Sequence, residues 1–251
     1  MFFLEFFFEQ LSDYFSLMKR VFTKSEKMSI NIENILFELD KLGVKSMGIV
    51  SIISLFMGAV ITLQTSAQLS GSLIVPHYLI GFTTRQSTIL EFSPTIISLI
   101  LAGKLGSNIA SEIGAMRISE QIDALDIMGI NSASYLILPK IVASLLFNPI
   151  LIIYSIALSI FGGYLVTFTL DVLTIDEYME GVFHEFKLFH VWYSLIKTVC
   201  FAFIISSVPA FFGYQVRGGS LQVGRASTQG VVYSSILILI ANYLLTEIIL
   251  L

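Results

Sequence analysis

Long stretches without a charged residue dominate the hydrophobic pattern of this chain. Four stretches contain no Asp, Glu, Lys or Arg: 46–84 (39 residues), 141–170 (30), 198–216 (19) and 226–246 (21). A fifth stretch, 86–103, contains a single charged residue, Glu91. A membrane helix needs about 20 mostly apolar residues, and these stretches are apolar on every side, whereas barrel strands alternate. The pattern predicts an all-α, polytopic integral membrane protein.

The first stretch can hold either one span and a loop or a hairpin of two spans. Polar residues between Gln64 and Ser72, followed by Pro76, favour the loop. Basic residues collect in cytoplasmic loops. A five-span topology with a cytoplasmic N-terminus places 11 of the 14 Lys and Arg residues on the cytoplasmic side and 2 on the periplasmic side. A six-span topology places 8 of them on the cytoplasmic side and 5 on the periplasmic side. We therefore predict a five-span domain over 46–251 with a periplasmic C-terminus. The approximate spans are 47–68, 86–112, 140–168, 191–214 and 228–250, and 67–85 is either a loop or re-entrant.

Residues 1–45 show a helical pattern of apolar positions. The apolar residues recur mostly three and four positions apart, at Leu4, Phe8, Leu11, Phe15, Met18 and Phe22, and again at Ile32, Ile35, Leu36, Leu39 and Leu42. Glu5 and Glu9 interrupt the first run, and no small-residue cleavage site follows, which excludes a signal peptide. The pattern predicts an amphipathic N-terminal helix in the membrane interface. The alternative is a soluble helical hairpin that binds a partner.

The composition narrows the function class. Hydrophobic residues make up 55% of the chain and charged residues 13%, against about 25% charged in an average soluble domain. The net charge of -4 and the lack of a basic stripe argue against nucleic-acid binding. A single cysteine, Cys200, excludes a cysteine-ligated metal site held by this chain alone. The chain lacks a G-x-x-x-x-G-K-[ST] phosphate loop, and 184–190 does not fit H-E-x-x-H. We predict no cofactor, no metal and no catalytic site in this chain.

A ridge of small residues marks the end of the second span. Ala102, Gly106, Ala110 and Gly114 recur every four residues, and a neighbouring row contains Gly103, Ser107, Ser111 and Ala115. Small residues let the backbones of membrane helices approach closely. The first row therefore predicts a helix-packing surface.

The stretch 117–129 that follows is amphipathic. Ile118, Ile122, Leu125 and Met128 lie broadly on one side, and acidic residues interrupt the sequence between them. Gly129 favours a helix end because glycine tolerates the left-handed conformation. We predict a short exposed cytoplasmic helix that docks into a soluble partner. The alternative is an ordinary connecting helix on the membrane surface.

Two charged residues lie inside predicted spans. Glu91 is about five residues into the second span and Lys197 about six residues into the fourth, so each lies roughly 8–9 Å deep on the same side. Intramembrane charges are costly and usually functional. The two residues either pair with each other, meet a lipid headgroup in a wet cavity, or snorkel to the interface. Pro94 lies three residues after Glu91 and predicts a kink there.

Several motifs resemble those of the MlaE-type permeases of ABC lipid transporters, and the resemblance runs from about residue 30 to the end. The motifs are AGKLGSNIASEI (102–113), GAMRISEQIDALDIMG (114–129), YLILPK (135–140) and VGRASTQGVVYSS (223–235). The resemblance implies a homodimeric permease that moves phospholipid. It places Glu91 and Lys197 beside an outward-facing lipid pocket as substrate-binding residues, although Leu90 stands where the family often has an arginine.

The resemblance also implies partners and a location. It makes 117–129 the coupling helix on a cytoplasmic ABC ATPase, which would bind ATP and Mg²⁺. It implies a periplasmic MCE-domain protein, in some systems a STAS-domain protein, and the bacterial inner membrane. The coupling residues would be Arg117, Glu120, Gln121, Asp123, Leu125 and Met128. The alternatives are an intramembrane lipid-modifying enzyme that uses Glu91 or His77, and a structural membrane subunit without a substrate.

Overall fold

The computed structural model describes residues 2–23, 28–69, 76–169 and 173–250. Within these ranges the secondary structure is helical and contains no strand. Its helices are α1 (Phe2–Thr23), α2 (Met28–Glu38), α3 (Met47–Leu69), α4 (Tyr78–Ser87), α5 (Ile97–Leu101), α6 (Ser107–Ile118), α7 (Gln121–Ile127), α8 (Ser132–Thr167), α9 (Ile175–Phe183), α10 (Leu188–Tyr214) and α11 (Ser220–Leu250).

Five helical runs of the described chain are long and apolar enough to cross a membrane. They are Ile32–Leu69, Tyr78–Ile118, Ser132–Thr167, Leu188–Tyr214 and Ser220–Ile249. Each overlaps one of the predicted spans, so the all-α, five-span fold class is confirmed. The length of the runs, 27 to 41 residues, exceeds the roughly 20 residues that a bilayer core requires.

The second run contains two π-helical segments, Thr88–Ile96 and Ala102–Gly106. Pro94 lies inside the first of them. Proline has no N–H group to continue the α-helical ladder, and π-segments often occur where a helix bears functional residues. The first segment also contains Glu91, so the predicted irregularity lies beside the intramembrane carboxylate.

The second run begins earlier than the predicted span 86–112 because another helix covers its polar start. Arg85 is only 2% exposed, and its Nη1 donates to the carbonyls of Val182 and His184 at 2.8 Å each. These carbonyls lie at the end of α9, where a cation is favoured. A Cβ on Gly81 would lie 2.2 Å from the carbonyl oxygen of Tyr178, so α4 and α9 are in backbone contact. Residues 70–75 lie outside the described part of the chain.

A capping box fixes the start of α9. The Thr174 hydroxyl accepts a hydrogen bond from the Glu177 N–H, and the Glu177 carboxylate accepts from the Thr174 N–H at 2.9 Å. These hydrogen bonds from Thr174, the backbone one foremost, hold the pKa of Glu177 below its ordinary value. The capping box thus begins a helix of nine residues.

The chain divides into two compact units. The first comprises Met1–Val44, Ile100–Phe147 and Phe201–Ala241, and the second Lys45–Leu99, Asn148–Cys200 and Asn242–Leu251. In the first unit, Leu17, Met18 and Val21 of α1 are buried, whereas Phe15 and Phe22 are 62% and 58% exposed. The helix is therefore apolar on an exposed face as well as on its packed face, and its location in the membrane interface stays a prediction.

In the second unit, α3 and α8 cross in backbone contact. A Cβ on Gly58 would lie 1.7 Å from the carbonyl oxygen of Ser159. Beside this crossing, Ser54 donates to Ser155 at 2.8 Å. Small and hydroxylated residues thus hold the two spans together, as is typical of helix pairs in lipid.

Adding a methyl group at this crossing should destabilise the protein. We expect Gly58→Ala to lower stability by about 1–3 kcal/mol, because overpacking forces the backbones apart. Thermal unfolding in detergent measures the change. Gly48→Ala is the matched control, since a Cβ on Gly48 of the same helix meets nothing within 4 Å. Equal melting temperatures for the two variants would contradict the close crossing.

Candidate substrate site and docking helix

Glu91 and Lys197 form an ion pair within the second unit. Lys197 Nζ lies 2.7 Å from Glu91 Oε1, and the Lys197 side chain is fully buried. The same ammonium group lies 4.6 Å from the centroid of the Tyr193 ring, a distance at which a cation is attracted to the ring face. Of the three alternatives that the sequence left open, the structure shows the pair, and burial excludes snorkelling by Lys197.

Lys197 also bonds to the backbone of the π-helical segment that contains Glu91 and Pro94. Its Nζ donates to the Leu90 carbonyl at 3.3 Å. The buried ammonium group is therefore bound by a backbone carbonyl as well as by the Glu91 carboxylate.

Neutral polar groups surround the carboxylate. Asn242 Nδ2 donates to Glu91 Oε2 at 3.1 Å, and the Thr95 hydroxyl lies 3.2 Å from the same oxygen. The Thr246 hydroxyl lies 3.4 Å from Oε1. Despite these contacts the Glu91 side chain is 43% exposed. The site thus presents a partly exposed carboxylate backed by a buried cation.

Sequence reasoning missed the neutral members of this site. Tyr193 and Lys197 are four residues apart, as are Glu91 and Thr95, and Asn242 and Thr246. Residues at this spacing share a helix face. Pairs of polar residues four positions apart in the fourth and fifth spans were therefore the sequence signal that could have identified these members of the site.

The predicted helix over 117–129 consists of two helical pieces. The first ends at Ile118, Glu120 adopts a left-handed conformation at φ 60°, and the second is α7. Gly129 has φ 78°, which agrees with its predicted place at a helix end. Arg117 consequently belongs to α6, and α7 is the only other helix within the stretch that the sequence predicted to dock.

The apolar side chains of α7 divide between its two sides. Ile122 is fully buried, whereas Ile127 and the adjoining Met128 are 86% and 65% exposed. Leu125 is half-buried, and Glu120, Gln121 and Asp123 are exposed. The predicted role of α7 in docking therefore depends on the two exposed apolar side chains of Ile127 and Met128, and it stays a prediction.

Hydrogen bonds and ion pairs within the first unit hold α7 in place. Asp126 Oδ1 accepts from the Ser132 hydroxyl at 2.7 Å and lies 3.5 Å from Arg20 Nη2. Arg117 Nη1 lies 2.7 Å from Asp123 Oδ1. Arg117 and Asp123 therefore form an ion pair with each other, and their sequence-predicted role in partner contact stays a prediction.

All four residues of the small-residue ridge are buried in the first unit. A Cβ on Gly213 of α10 would lie 2.6 Å from the carbonyl oxygen of Ala110, and one on Gly106 would lie 3.0 Å from Pro209 Cγ. A Cβ on Gly114 would lie 3.1 Å from Val223 Cγ1 of α11. The ridge of Ala102, Gly106, Ala110 and Gly114 thus packs α6 and the π-segment before it against α10 and α11.

The structure also shows a charged network that the sequence did not reveal. Lys140 is 3% exposed and pairs with both Glu38 and Glu112. Lys41 pairs with Glu112 at 2.8 Å. These residues are far apart in the sequence, so only the fold brings them together. The network ties α8 to α6, to the end of α2 and to the π-helical turn that follows α2.

These features define a polytopic α-helical membrane protein with an ion pair inside its spans and an exposed helix between two of them, as in a transport permease. Residues 35–248 match the family Permease MlaE. The chain belongs to this family, which confirms the resemblance found in its motifs.

Three relatives illustrate the range of the family. The chain is 36% identical over 223 residues to a probable ABC transporter permease protein of Rickettsia bellii, covering 87% of this chain and 82% of the relative. It is 31% identical over 249 residues to a probable ABC transporter permease protein of Synechocystis sp., covering 97% and 92%. It is 30% identical over 221 residues to the chloroplastic protein TRIGALACTOSYLDIACYLGLYCEROL 1 of Arabidopsis thaliana, covering 88% and 63%.

Proposed function

We propose that this permease is the membrane subunit of an ATP-driven transporter that moves phospholipid between the bacterial inner membrane and a periplasmic MCE-domain carrier. The observation that carries the proposal is the Glu91–Lys197 pair, with its half-exposed carboxylate inside a membrane-spanning helix. A charged residue is costly inside a membrane span, so a span that contains one usually uses it to bind a substrate or an ion. The supporting comparison is with relatives named as probable ABC transporter permeases.

The geometry gives the two residues different roles. Lys197 is fully buried and directs its ammonium group at Glu91, so it neutralises and positions the carboxylate. Glu91 retains an exposed part that the amine of a phospholipid headgroup can approach. A charge-assisted hydrogen bond of this kind contributes about 1.5–3 kcal/mol. Glu91 is therefore the residue that touches the lipid, and Lys197 acts through it.

The proposed assembly contains a cytoplasmic ABC ATPase on α7, where Ile127 and Met128 are exposed. Some systems of this kind would add a STAS-domain protein. We also propose a homodimer, because the exposed apolar side chains of α11, such as Ile240 and Leu244, are open to a second copy of the chain as well as to lipid. In this topology the N-terminus is cytoplasmic and the C-terminus periplasmic. ATP and Mg²⁺ bind to the partner, and we propose no cofactor in this chain.

The mechanism would be a shift in population between two states of the dimer. ATP binding to the partner draws the two α7 helices together, and this movement narrows the cavity between protomers and expels the lipid. A partner can shift such an equilibrium only by its difference in affinity for the two states. The proposal therefore requires that the ATPase bind α7 more tightly in one state than in the other.

Mass spectrometry of the purified permease under native conditions tests the proposal. We expect the wild-type protein to retain phospholipid and Glu91→Gln to retain about tenfold less, because about 1.4 kcal/mol of binding is a tenfold change. Glu180→Gln, which changes an exposed acid on α9, is the matched control. Chemical change of phospholipid by this chain alone would favour the enzyme, and lack of bound lipid would favour a structural subunit.

A further inference from the structure

The first unit contains a cavity that the proposed transport function does not use. Its volume is about 520 Å³, which falls within the range of small-molecule sites. It lies between α1, the end of α6, and the end of α10 with the turn that follows it. The lining residues are Asp13, Ser16, Leu17, Arg20, Arg117, Phe211, Tyr214, Gln215 and Arg217.

Three arginines and a single aspartate line this cavity. The carboxylate of Asp13 already accepts from Gln215 Nε2 at 3.3 Å. Arg217 is exposed and forms no ion pair with the residues that the structure describes. The lining therefore has an excess of positive charge.

The other two arginines keep free donors despite their ion pairs. Arg117 uses Nη1 for Asp123, and Arg20 directs Nη2 at Asp126 from 3.5 Å. Neither aspartate lines the cavity. Each guanidinium carries five N–H donors, so most of them remain available for a ligand. The Arg117 group also lies 5.7 Å from the centroid of the Tyr214 ring, which restricts its orientation.

We propose that this cavity binds a phosphate-bearing anion, either the headgroup of an acidic phospholipid or a soluble phosphate ester. Guanidinium groups match the oxygen geometry of phosphate and donate to it in pairs. A concave site with three such groups can surround a compact tetrahedral anion, whereas the flat surface of a protein partner would not reach into it. Phe15 and Phe22 of α1 are exposed, which favours a lipid source because an apolar helix face brings the site to the membrane surface.

The test uses the full-length permease alone, so it needs neither an ATPase nor transport. Wild type, Arg217→Gln and Arg20→Gln are placed in phosphatidylcholine nanodiscs. The lipid arm adds phosphatidylglycerol and measures its retention by native mass spectrometry. The soluble arm adds glycerol 3-phosphate and measures its affinity by calorimetry. Arg225→Gln is the matched control, because Arg225 is also exposed and lies outside the cavity.

We expect one arm to show binding that Arg217→Gln weakens about tenfold, because the phosphate loses a charge-assisted hydrogen bond, while Arg225→Gln leaves it unchanged. Binding in the lipid arm alone identifies a headgroup, and binding of glycerol 3-phosphate identifies a soluble ester. The proposal is overturned if neither probe binds in a manner that depends on Arg217. It is also overturned if neither anion binds and Arg217→Gln instead weakens association with an acidic protein partner.

Discussion

Replacing Lys197 with methionine is expected to lower phospholipid transport by about tenfold or more, while the permease still assembles. Methionine preserves much of the volume but removes the cation, so the Glu91 carboxylate keeps only neutral donors inside a membrane span. Breaking a fully buried pair costs about 3–5 kcal/mol. Because Glu91 is 43% exposed, we expect a smaller loss of stability, about 2 kcal/mol. Transport between proteoliposomes and thermal unfolding in detergent measure the two effects.

A double variant separates the structural role of the pair from its role in lipid contact. Glu91→Gln combined with Lys197→Met removes both charges, and the remaining neutral groups can still bond to the amide. We expect most of the stability to return, while transport stays low because the exposed carboxylate is gone. Lys187→Gln, at an exposed lysine ten residues earlier, should behave like wild type. Full transport by the double variant would show that the pair only stabilises the fold.

Replacing Ile127 with aspartate is expected to detach the ATPase from the permease. Ile127 is 86% exposed on α7, so the change should not disturb the fold. Central apolar residues of an interface contribute about 2 kcal/mol or more when removed, and we expect a further loss from a charge placed in an apolar groove. Co-elution of the ATPase with the tagged permease, together with transport, provides the measurement. Leu125 is half-buried, so aspartate there would also disturb the fold. A loss of the ATPase in that variant could then not be assigned to docking.

Ile175→Asp is the control for this prediction. Ile175 is a partly exposed apolar residue on α9, a short helix that our topology places on the other side of the membrane. This variant should retain the ATPase. Accessibility of a cysteine at Met128, introduced into a Cys200→Ser background, reports which side α7 occupies. Labelling from the periplasmic side, or unchanged co-elution of Ile127→Asp, would contradict the docking assignment.

The small-residue ridge shows how far a sequence pattern can lead. The four-residue spacing of Ala102, Gly106, Ala110 and Gly114 indicated a surface for close packing, since backbones approach only where side chains are small. The pattern could not say which helices approach. The contacts with Pro209 and Val223 depend on the placement of α10 and α11, which follow much later in the chain.

The sequence by itself determined the fold class, the number of spans and the family. The apolar length of a span, about 20 residues, and the bias of basic residues toward cytoplasmic loops are local properties. Both can therefore be read along the chain. Tertiary structure alone decided that Glu91 and Lys197 pair, that Asn242 and Tyr193 join them, and that Lys140 meets Glu38. It also decided that Arg85 is buried under α9. Charges in a low-dielectric interior are satisfied by whichever residues the packing of distant helices brings near, and spacing along one chain does not contain that information.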